Sequence, residues 1–537
     1  MLTRQASYDC LYRDFAWKLP DRYNIGVDTC DKHADGTARL ALIAVAETGA
    51  VTELSFDHFR QQSNRFANAL VTHGFRQRDR LAILLQQTPE TAIAHLAAFK
   101  AGLISVPLFT LFGEAALQFR LSDSGARGIV TDLPGAAKLH AIRPLLPKLE
   151  RIYVIGPDPG GGDNLSFSAL LDNASDSFVP IDTRADDPAL LVYTSGTSGN
   201  PKGALHAHRV LLGHLPGVEL PHDFFPQQGD RFWTPADWAW AGGLLDVLLP
   251  AWHHGVSVVA HRARKFDPLE AADLMVRHRV RNTFLPPTAL KLMRMAAIRM
   301  PGSGLRSIGS GGETLGAELL DWAAATFGVT PNEFYGQTEC NLVAANSSAL
   351  FPIRPGSLGR AVPGHTVAIV DEDGREIPIG QAGMIAVRRP DPVMFLGYWN
   401  NPEATSAKFA GDFLLTGDLA RRDQDGYFWF AGRSDDLITS AGYRIGPGEI
   451  EDCLIRHPAV SMAAVAGIPD PLRTEAVKAW IVLRTGITGS LDLAREIQEF
   501  VKLRLAAHEY PRHVEFVDEL PMTATGKIIR RQLRERG

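Results

Sequence analysis

The sequence predicts an α/β protein: a large N-terminal domain of α/β subdomains plus a β-rich subdomain, followed by a small α+β C-terminal domain. Three observations predict it. Helix-like and strand-like segments alternate from Ser55 to Leu108 and again from Asp187 to Pro286, the pattern of parallel sheets. From about Pro363 the texture turns to alternating strands. After Gly432 about one hundred residues of mixed character follow, enough for a separate unit.

In the first stretch, SFDHFRQQSNRFANALVTHG sets Phe59, Phe66, Leu70 and Val71 near helical spacing, with Gly74 as the stop. RLAILLQ reads as a buried strand. TPETAIAHLAAFKAG reads as a helix with Thr88 as N-cap and Pro89 at its first position, where a missing N–H costs nothing. SVPL is the next strand. Further on, TVAIVDEDGREIP and MIAVRRPD alternate like antiparallel strands, the first turning at DEDG. Toward the C-terminus EIEDCLIRHPAV is a short helix, MAAVAGI and VKAWIVLR are strands, and LAREIQEFVKLRLA is a helix. The joint between the large and small domains is expected at Arg433 to Asp436, where charged residues follow Gly432.

Composition narrows the function. The 537 residues are 45% hydrophobic and 21% charged, with 55 Lys plus Arg against 60 Asp plus Glu. A net charge of −5 gives no support for nucleic-acid binding. Cys10, Cys30, Cys340 and Cys453 are far apart with no CxxC pair, which argues for a reducing compartment and against a disulfide framework or zinc site. His206, His208, His253 and His254 lack HxxxH or HExxH spacing with carboxylates, so no zinc is expected; no flavin is expected either. No GxSxG elbow occurs. The most apolar run, Gly242 to Ala260, is broken by Asp246 and the His253–His254 pair, so no membrane span is expected. The segment MLTRQASYDCLYRDF has no apolar h-region, and a cytoplasmic enzyme is the expectation.

The first chemical signal is Thr194-Ser195-Gly196-Thr197-Ser198-Gly199-Asn200-Pro201-Lys202-Gly203, following the strand-like ALLVY. Glycines let backbone N–H groups approach an anion, and hydroxyls and Lys202 add donors, so the stretch makes a phosphate cradle. It is not a Walker loop, because no Gly-Lys-Ser/Thr closes it. The alternative is a flexible surface loop.

With this loop the sequence resembles the adenylate-forming superfamily of acyl-CoA synthetases, luciferases and peptide-synthetase adenylation domains. The resemblance continues in order at Ser310-Gly311-Gly312-Glu313, Tyr335-Gly336-Gln337-Thr338-Glu339, Thr416-Gly417-Asp418, Gly432-Arg433-Ser434-Asp435-Asp436, Gly442-Tyr443-Arg444-Ile445 and Gly526-Lys527. YGQTE and GYRIGPGEIE resemble the medium-chain acyl-CoA synthetases most. The resemblance implies a ligase that converts a carboxylic acid and ATP to acyl-AMP and pyrophosphate, then passes the acyl group to coenzyme A. It divides the chain into an AMP-binding adenylation domain over 1–432, a hinge at 433–436 and a mobile C-terminal domain over 437–537.

The roles it implies follow the chemistry. A polyanion must be held beside a carboxylate, so cations, oriented dipoles and Mg²⁺ are needed. Glu339 is the expected Mg²⁺ ligand, with Thr338 beside the α-phosphate. Gly312, Glu313, Glu333, Phe334, Tyr335, Gly336 and Gln337 border the nucleotide, Tyr335 stacking on adenine. Asp418 and Arg433 hold the ribose, a carboxylate being able to accept both hydroxyl hydrogens. Lys527 reaches the acid carboxylate and α-phosphate during adenylation, and Arg444 meets the adenylate phosphate in one state. For thioester formation Ala441, Gly442 and Tyr443 line a pantetheine tunnel, Gly442 letting a narrow chain pass. Arg473, Lys502, Tyr510, Pro511 and Arg512 face CoA, and Asp435 is the hinge.

The acyl pocket is expected at Trp238, Trp240, Ser310, Gly311 and Gly336. Acetate-specific relatives carry tryptophan where Gly336 stands, so an acid larger than acetate is expected: medium-chain, branched or aromatic. The two tryptophans read equally well as core. Departures are Thr474 after Arg473, Ala239 for a glycine and Ala441 for a serine. The expected partners are the acid, ATP and CoA, with a homodimer left open and a lysine acetyltransferase and deacetylase acting on Lys527. The competing readings are an adenylating enzyme that loads a carrier protein or uses acyl-AMP otherwise, and a non-catalytic nucleotide-binding module.

Overall fold

The computed structural model describes residues 1–194, 201–263, 265–300, 302–433, 436, 438–440, 443–470, 474–505, 510–523 and 528–536, with the backbone alone at 439, 443, 444 and 449. Contacts divide the chain into two compact units, one of residues 1–366 and 387–409, the other of 367–386 and 410–537.

Two sheets dominate the first unit among the described residues. One runs in the order Gly397–Tyr398, Lys202–Ala207, Pro188–Thr194, Ile104–Pro107, Arg80–Leu84, Gly128–Thr131, Arg151–Val154, Asn164–Ser166. Its members from Pro188–Thr194 onward run parallel, as the alternating pattern requires. The other has parallel strands Ser257–His261, Arg231–Trp233, Asn282–Phe284, Ser307–Gly311 and Asn332–Gln337 at its centre. Leu40–Val45 pairs parallel with Ser257–His261, and antiparallel hairpins finish both edges.

The helices between these sheets are buried on all sides. In Pro89–Lys100 every residue from Thr91 onward is buried, and Val210–Glu219 is buried throughout. Such helices read as apolar all round rather than amphipathic. They share one core with both sheets, built on Phe59, Phe66, Phe99, Leu211, Trp238 and Trp252. The expected cap at Thr88 is present, accepting from Thr91 N, and Ser55 also caps a helix, Phe56–Thr72. Val71 departs from the expected core face and is 52% exposed, since it follows Leu70 around the helix and turns to solvent. The His253–His254 pair stands where the helix Leu249–His253 ends and the chain turns.

Two buried polar devices fix this packing. Lys100 is fully buried, its Nζ 2.5 Å from Asp31 Oδ1, 2.8 Å from Ser63 Oγ and 2.9 Å from Asn64 Oδ1. Gln87 donates from Nε2 to Thr234 O (3.0 Å) and Ala236 O (2.6 Å) and accepts from His261 N (3.3 Å). It thereby ties the end of one sheet to the other.

The second unit holds a β-rich sheet of Val367–Val370, Ala382–Arg388, Phe413–Arg422, Phe409–Ala410 and Phe428–Arg433. It also holds an α+β portion with strands Ile438–Ser440, Tyr443–Ile445, Val460–Asp470, Thr474–Leu483 and His513–Phe516. Helices Pro447–Ile455, Leu491–Lys502 and Arg530–Arg536 complete it. Ile450, Leu454, Val465, Ile481, Ile497 and Val501 form its core. No helix among the described residues is long and apolar enough to cross a membrane.

Candidate active site

The phosphate-loop segment springs from a β-hairpin. Pro188–Thr194 turns back antiparallel as Lys202–Ala207, with Thr194 opposite Lys202 and its Oγ1 3.4 Å from Lys202 O. Ser195, Gly196, Thr197, Ser198 and Gly199 lie outside the described residues. Thr194 and Lys202 therefore frame the loop's mouth. A third strand fixes what stands beside it: Gly397–Tyr398 pairs with Lys202–Ala207, clamped by Leu396 N to Leu205 O and Trp399 N to Gly203 O, both 2.7 Å. This sets the Lys202 ammonium 5.2 Å from the centre of the Tyr398 ring, a cation–π contact. The Tyr398 hydroxyl donates to Glu339 Oε1, and Glu339 is only 7% exposed.

Glu339 arrives there from the other sheet. Ser307–Gly311 pairs parallel with Asn332–Gln337, which turns tightly into Cys340–Ala345, so Thr338 and Glu339 occupy the hairpin tip. Phe395 N donates to Glu339 O at 2.9 Å, and Lys408 Nζ reaches Gln337 Oε1 at 3.3 Å. Gly309 and Gly311 have no side chains for a steric reason: a Cβ at either would sit 2.6 Å from the Phe334 ring. Phe334 stands 5.2 Å from Phe284, which stands 5.7 Å from Trp240. Trp240 in turn lies 3.3 Å from the Cβ position of Gly312, whose φ is +93°. An aromatic row thus flanks the Gly309–Gly312 strip.

Of the two tryptophans, Trp240 borders this strip while Trp238, 1% exposed, belongs to the core. Ser310 gives its hydroxyl to Leu285 O at 2.8 Å, inside the sheet. Glu313 accepts from Thr288 Oγ1 at 3.0 Å and pairs with Lys291 at 3.4 Å. Glu333 accepts from Leu315 N at 3.2 Å. Tyr335 is buried. Gly336 is hemmed in: a Cβ would meet Leu342 N at 2.2 Å and Asn341 Oδ1 at 2.5 Å. Packing against the neighbouring strand requires a glycine here.

In the second unit Asp418 and Arg433 are cross-strand partners in one hairpin, with Arg433 Nη1 3.4 Å from Asp418 Oδ1. Thr416 Oγ1 accepts from Asp418 N at 3.1 Å within the strand Phe413–Arg422. Lys502, Tyr510 and Arg512 also come together: Lys502 Nζ and Arg512 Cζ lie 5.7 and 4.3 Å from the Tyr510 ring centre. Pro511 O and Arg512 O accept from Gln498 Nε2. Tyr443 and Arg444 lie in the strand Tyr443–Ile445. Asp435, Ala441, Gly442, Arg473 and Lys527 lie outside the described residues.

The model of the family described as AMP-binding enzyme matches residues 30–399, and that of the AMP-binding enzyme C-terminal domain matches 449–527. The chain belongs to the AMP-binding enzyme family. An acetyl-coenzyme A synthetase of Bacillus subtilis is 33% identical, the match covering 98% of this chain and 94% of that protein. The human mitochondrial acyl-coenzyme A synthetase ACSM4 is 35% identical over 96% and 91%. Among solved structures, an anthranilate CoA ligase in complex with anthranoyl-AMP superposes with a TM-score of 0.87 at 31% identity, over 96% and 98%. This AMP-binding enzyme is an ATP-dependent acid–CoA ligase, which forms an acyl-AMP with release of pyrophosphate and transfers the acyl group to CoA.

Sequence reasoning missed Tyr398 and Lys408. Both follow the RRPD strand in a stretch with no glycine-rich or charged signature. The one available cue was FLGYW, an aromatic cluster at a glycine turn.

Proposed function

We propose that the acid is larger than acetate and that one site serves both half-reactions by domain alternation. The observation that supports adenylation at this site is the line from Lys202 through Tyr398 to Glu339 at the mouth of the phosphate loop. A cation and a buried carboxylate within one contact of each other suit a polyphosphate and its counter-ion. Glu339 would supply a hard oxygen donor of the kind Mg²⁺ prefers. Bound there, Mg²⁺ would neutralise phosphate charge.

In the first step a carboxylate oxygen of the acid attacks the α-phosphorus and pyrophosphate leaves. Thr338 and Lys202 hold phosphate oxygens, Asp418 and Arg433 hold the ribose, and the Lys527 ammonium stabilises the negative charge developing between acid and α-phosphate. In the second step the CoA sulfur attacks the acyl carbon, loses its proton and expels AMP. For this step the segment after Asp435 turns to present Gly442 as the wall of a pantetheine tunnel, with Arg444 at the adenylate phosphate. The pair of cations around Tyr510, Lys502 and Arg512, suits the phosphates of CoA. Residues 437–537 form the moving domain and residues 1–432 the fixed one. Acetylation of Lys527 would cancel its charge and stop adenylation.

The reading of a larger pocket is supported by glycine at 336, where acetate-specific relatives carry tryptophan, and by the Trp240–Phe284–Phe334 row as an apolar wall. The test separates the half-reactions. Lys527→Ala should abolish acyl-AMP formation while sparing thioester synthesis from supplied acyl-AMP, and Gly442→Leu should do the reverse. Equal loss of both steps in either variant overturns the alternation. A panel of acids scored by AMP release tests the pocket, and acetate as the best substrate would refute its size.

A further inference from the structure

Gly336 is bordered by a polar assembly that the nucleotide chemistry does not use. The side chain of Asn341 stands where one at 336 would project. Asn341 is half-buried, and its Nδ2 donates to Asp246 Oδ1 at 2.7 Å. Its own Oδ1 takes no hydrogen bond from any described residue. Asp246 is 5% exposed and sits in a π-helical turn, Leu244–Leu248. Such turns recur at functional sites. Behind Asp246 is the fully buried His214, its Nε2 3.9 Å from the same oxygen.

The hydrogens in this chain can be assigned. His214 Nδ1 is 2.8 Å from Val210 O, and a carbonyl can only accept, so Nδ1 carries the hydrogen and Nε2 is a bare lone pair. Burial holds the Asp246 carboxyl well above the usual carboxylate range and lowers His214 to about 4. Asp246 Oδ1 accepts from Asn341 Nδ2, and His214 Nε2 stands behind that oxygen at 3.9 Å. This fixes the amide: its NH₂ points inward and its carbonyl oxygen points to the Gly336 side. The backbone is equally constrained. Leu342 has φ +55°, and a Cβ on Gly217 would lie 2.4 Å from the Leu342 Cβ, so helix and strand are locked together at this point.

We propose that Asn341 determines specificity in the acyl pocket, and that the pocket takes acids carrying a hydroxyl or amino group whose hydrogen meets the Asn341 carbonyl. This rests on the reading that Gly336 borders the acyl group. Asp246 and His214 are positioning residues that hold the amide. An acid without the donor leaves a desolvated carbonyl unpaired, and pockets built around such a bond discriminate far more sharply than apolar ones.

The experiment measures kcat/KM for pyrophosphate release with matched acids, straight-chain and aromatic, each with and without one hydroxyl or amino group at successive positions. The wild-type enzyme should prefer at least one donor-bearing acid over its hydrocarbon parent by about tenfold or more. Asn341→Leu, or Asn341→Gly if the leucine variant does not fold, should reduce that ratio to near one. Asp246→Leu, which frees the amide to turn, should erode the same ratio. A wild-type enzyme that prefers the hydrocarbon parents, or a preference that survives in both Asn341 variants, overturns the proposal. Adenylation of hydrocarbon acids without donor preference sinks this inference alone, whereas failure to adenylate any acid sinks the catalytic reading beneath it.

Discussion

Tyr398→Phe isolates the contact that joins the two hairpins of the site. The substitution removes one oxygen and keeps the ring, which packs edge-on against Phe395 at 5.0 Å and receives Lys202 at 5.2 Å. What is lost is the hydroxyl donated to Glu339, a carboxylate only 7% exposed. A hydrogen bond to a charged, desolvated partner contributes about 1.5–3 kcal/mol. That converts to a loss of about ten- to hundredfold if the bond orients Glu339 for adenylation. The assay is pyrophosphate release at saturating acid, with ATP varied, beside CoA thioester formation from supplied acyl-AMP. The loss should fall on kcat/KM for ATP and leave the second reaction within a few-fold of wild type. Unchanged kcat/KM for ATP would refute the reasoning, as would an equal loss in both reactions.

Three further outcomes follow from packing and charge. Gly336→Trp should lower the melting temperature, because its Cβ meets Leu342 N at 2.2 Å and overpacking of this kind costs about 1–3 kcal/mol; an unchanged melting temperature would count against the strand contact. Lys100→Met leaves Asp31 without its buried cation and should destabilise by about 3–5 kcal/mol in urea melts, where a loss below about 1 kcal/mol would contradict the pairing. Burial holds His95, His206, His208 and His222 at about 3 and His214 at about 4, below the free value of 6.5. The unfolded chain therefore binds protons first: stability is complete above about 6.5 and falls as pH drops toward the folded values, each histidine costing about 1.4 kcal/mol one unit below 6.5. Urea midpoints that do not move between pH about 7.5 and about 5.5 would overturn this.

Much of the scaffold was legible in the chain. The Thr88–Pro89 start, the buried RLAILLQ strand and the α+β character after Gly432 all appear where local rules put them. Asp418 and Arg433, fifteen residues apart in sequence, meet because a hairpin of fixed register closes between them at Asp423–Tyr427, while Thr416-Gly417-Asp418 lies inside the strand Phe413–Arg422. Val71 was misplaced because apolar spacing does not say where an apolar stripe ends. Trp238 and Trp240 could not be told apart by composition: only the approach of Gly312 decides which ring faces the strip. Tyr398 and Asn341 were invisible for a deeper reason. Each acts through a partner more than fifty residues away, Glu339 for the first and Asp246 for the second, and such pairings exist only after sheets have registered.

Gln87 has a practical consequence for chimaeras. One amide grips two carbonyls and one N–H at the far ends of neighbouring strands, leaving it no spare N–H hydrogen for an altered partner. A hybrid that takes Arg80–Leu84 from one parent and 231–261 from another would inherit half of a fastener. Recombination breakpoints in such enzymes should be placed so that residue 87 and the segments at 234–236 and 261 travel together.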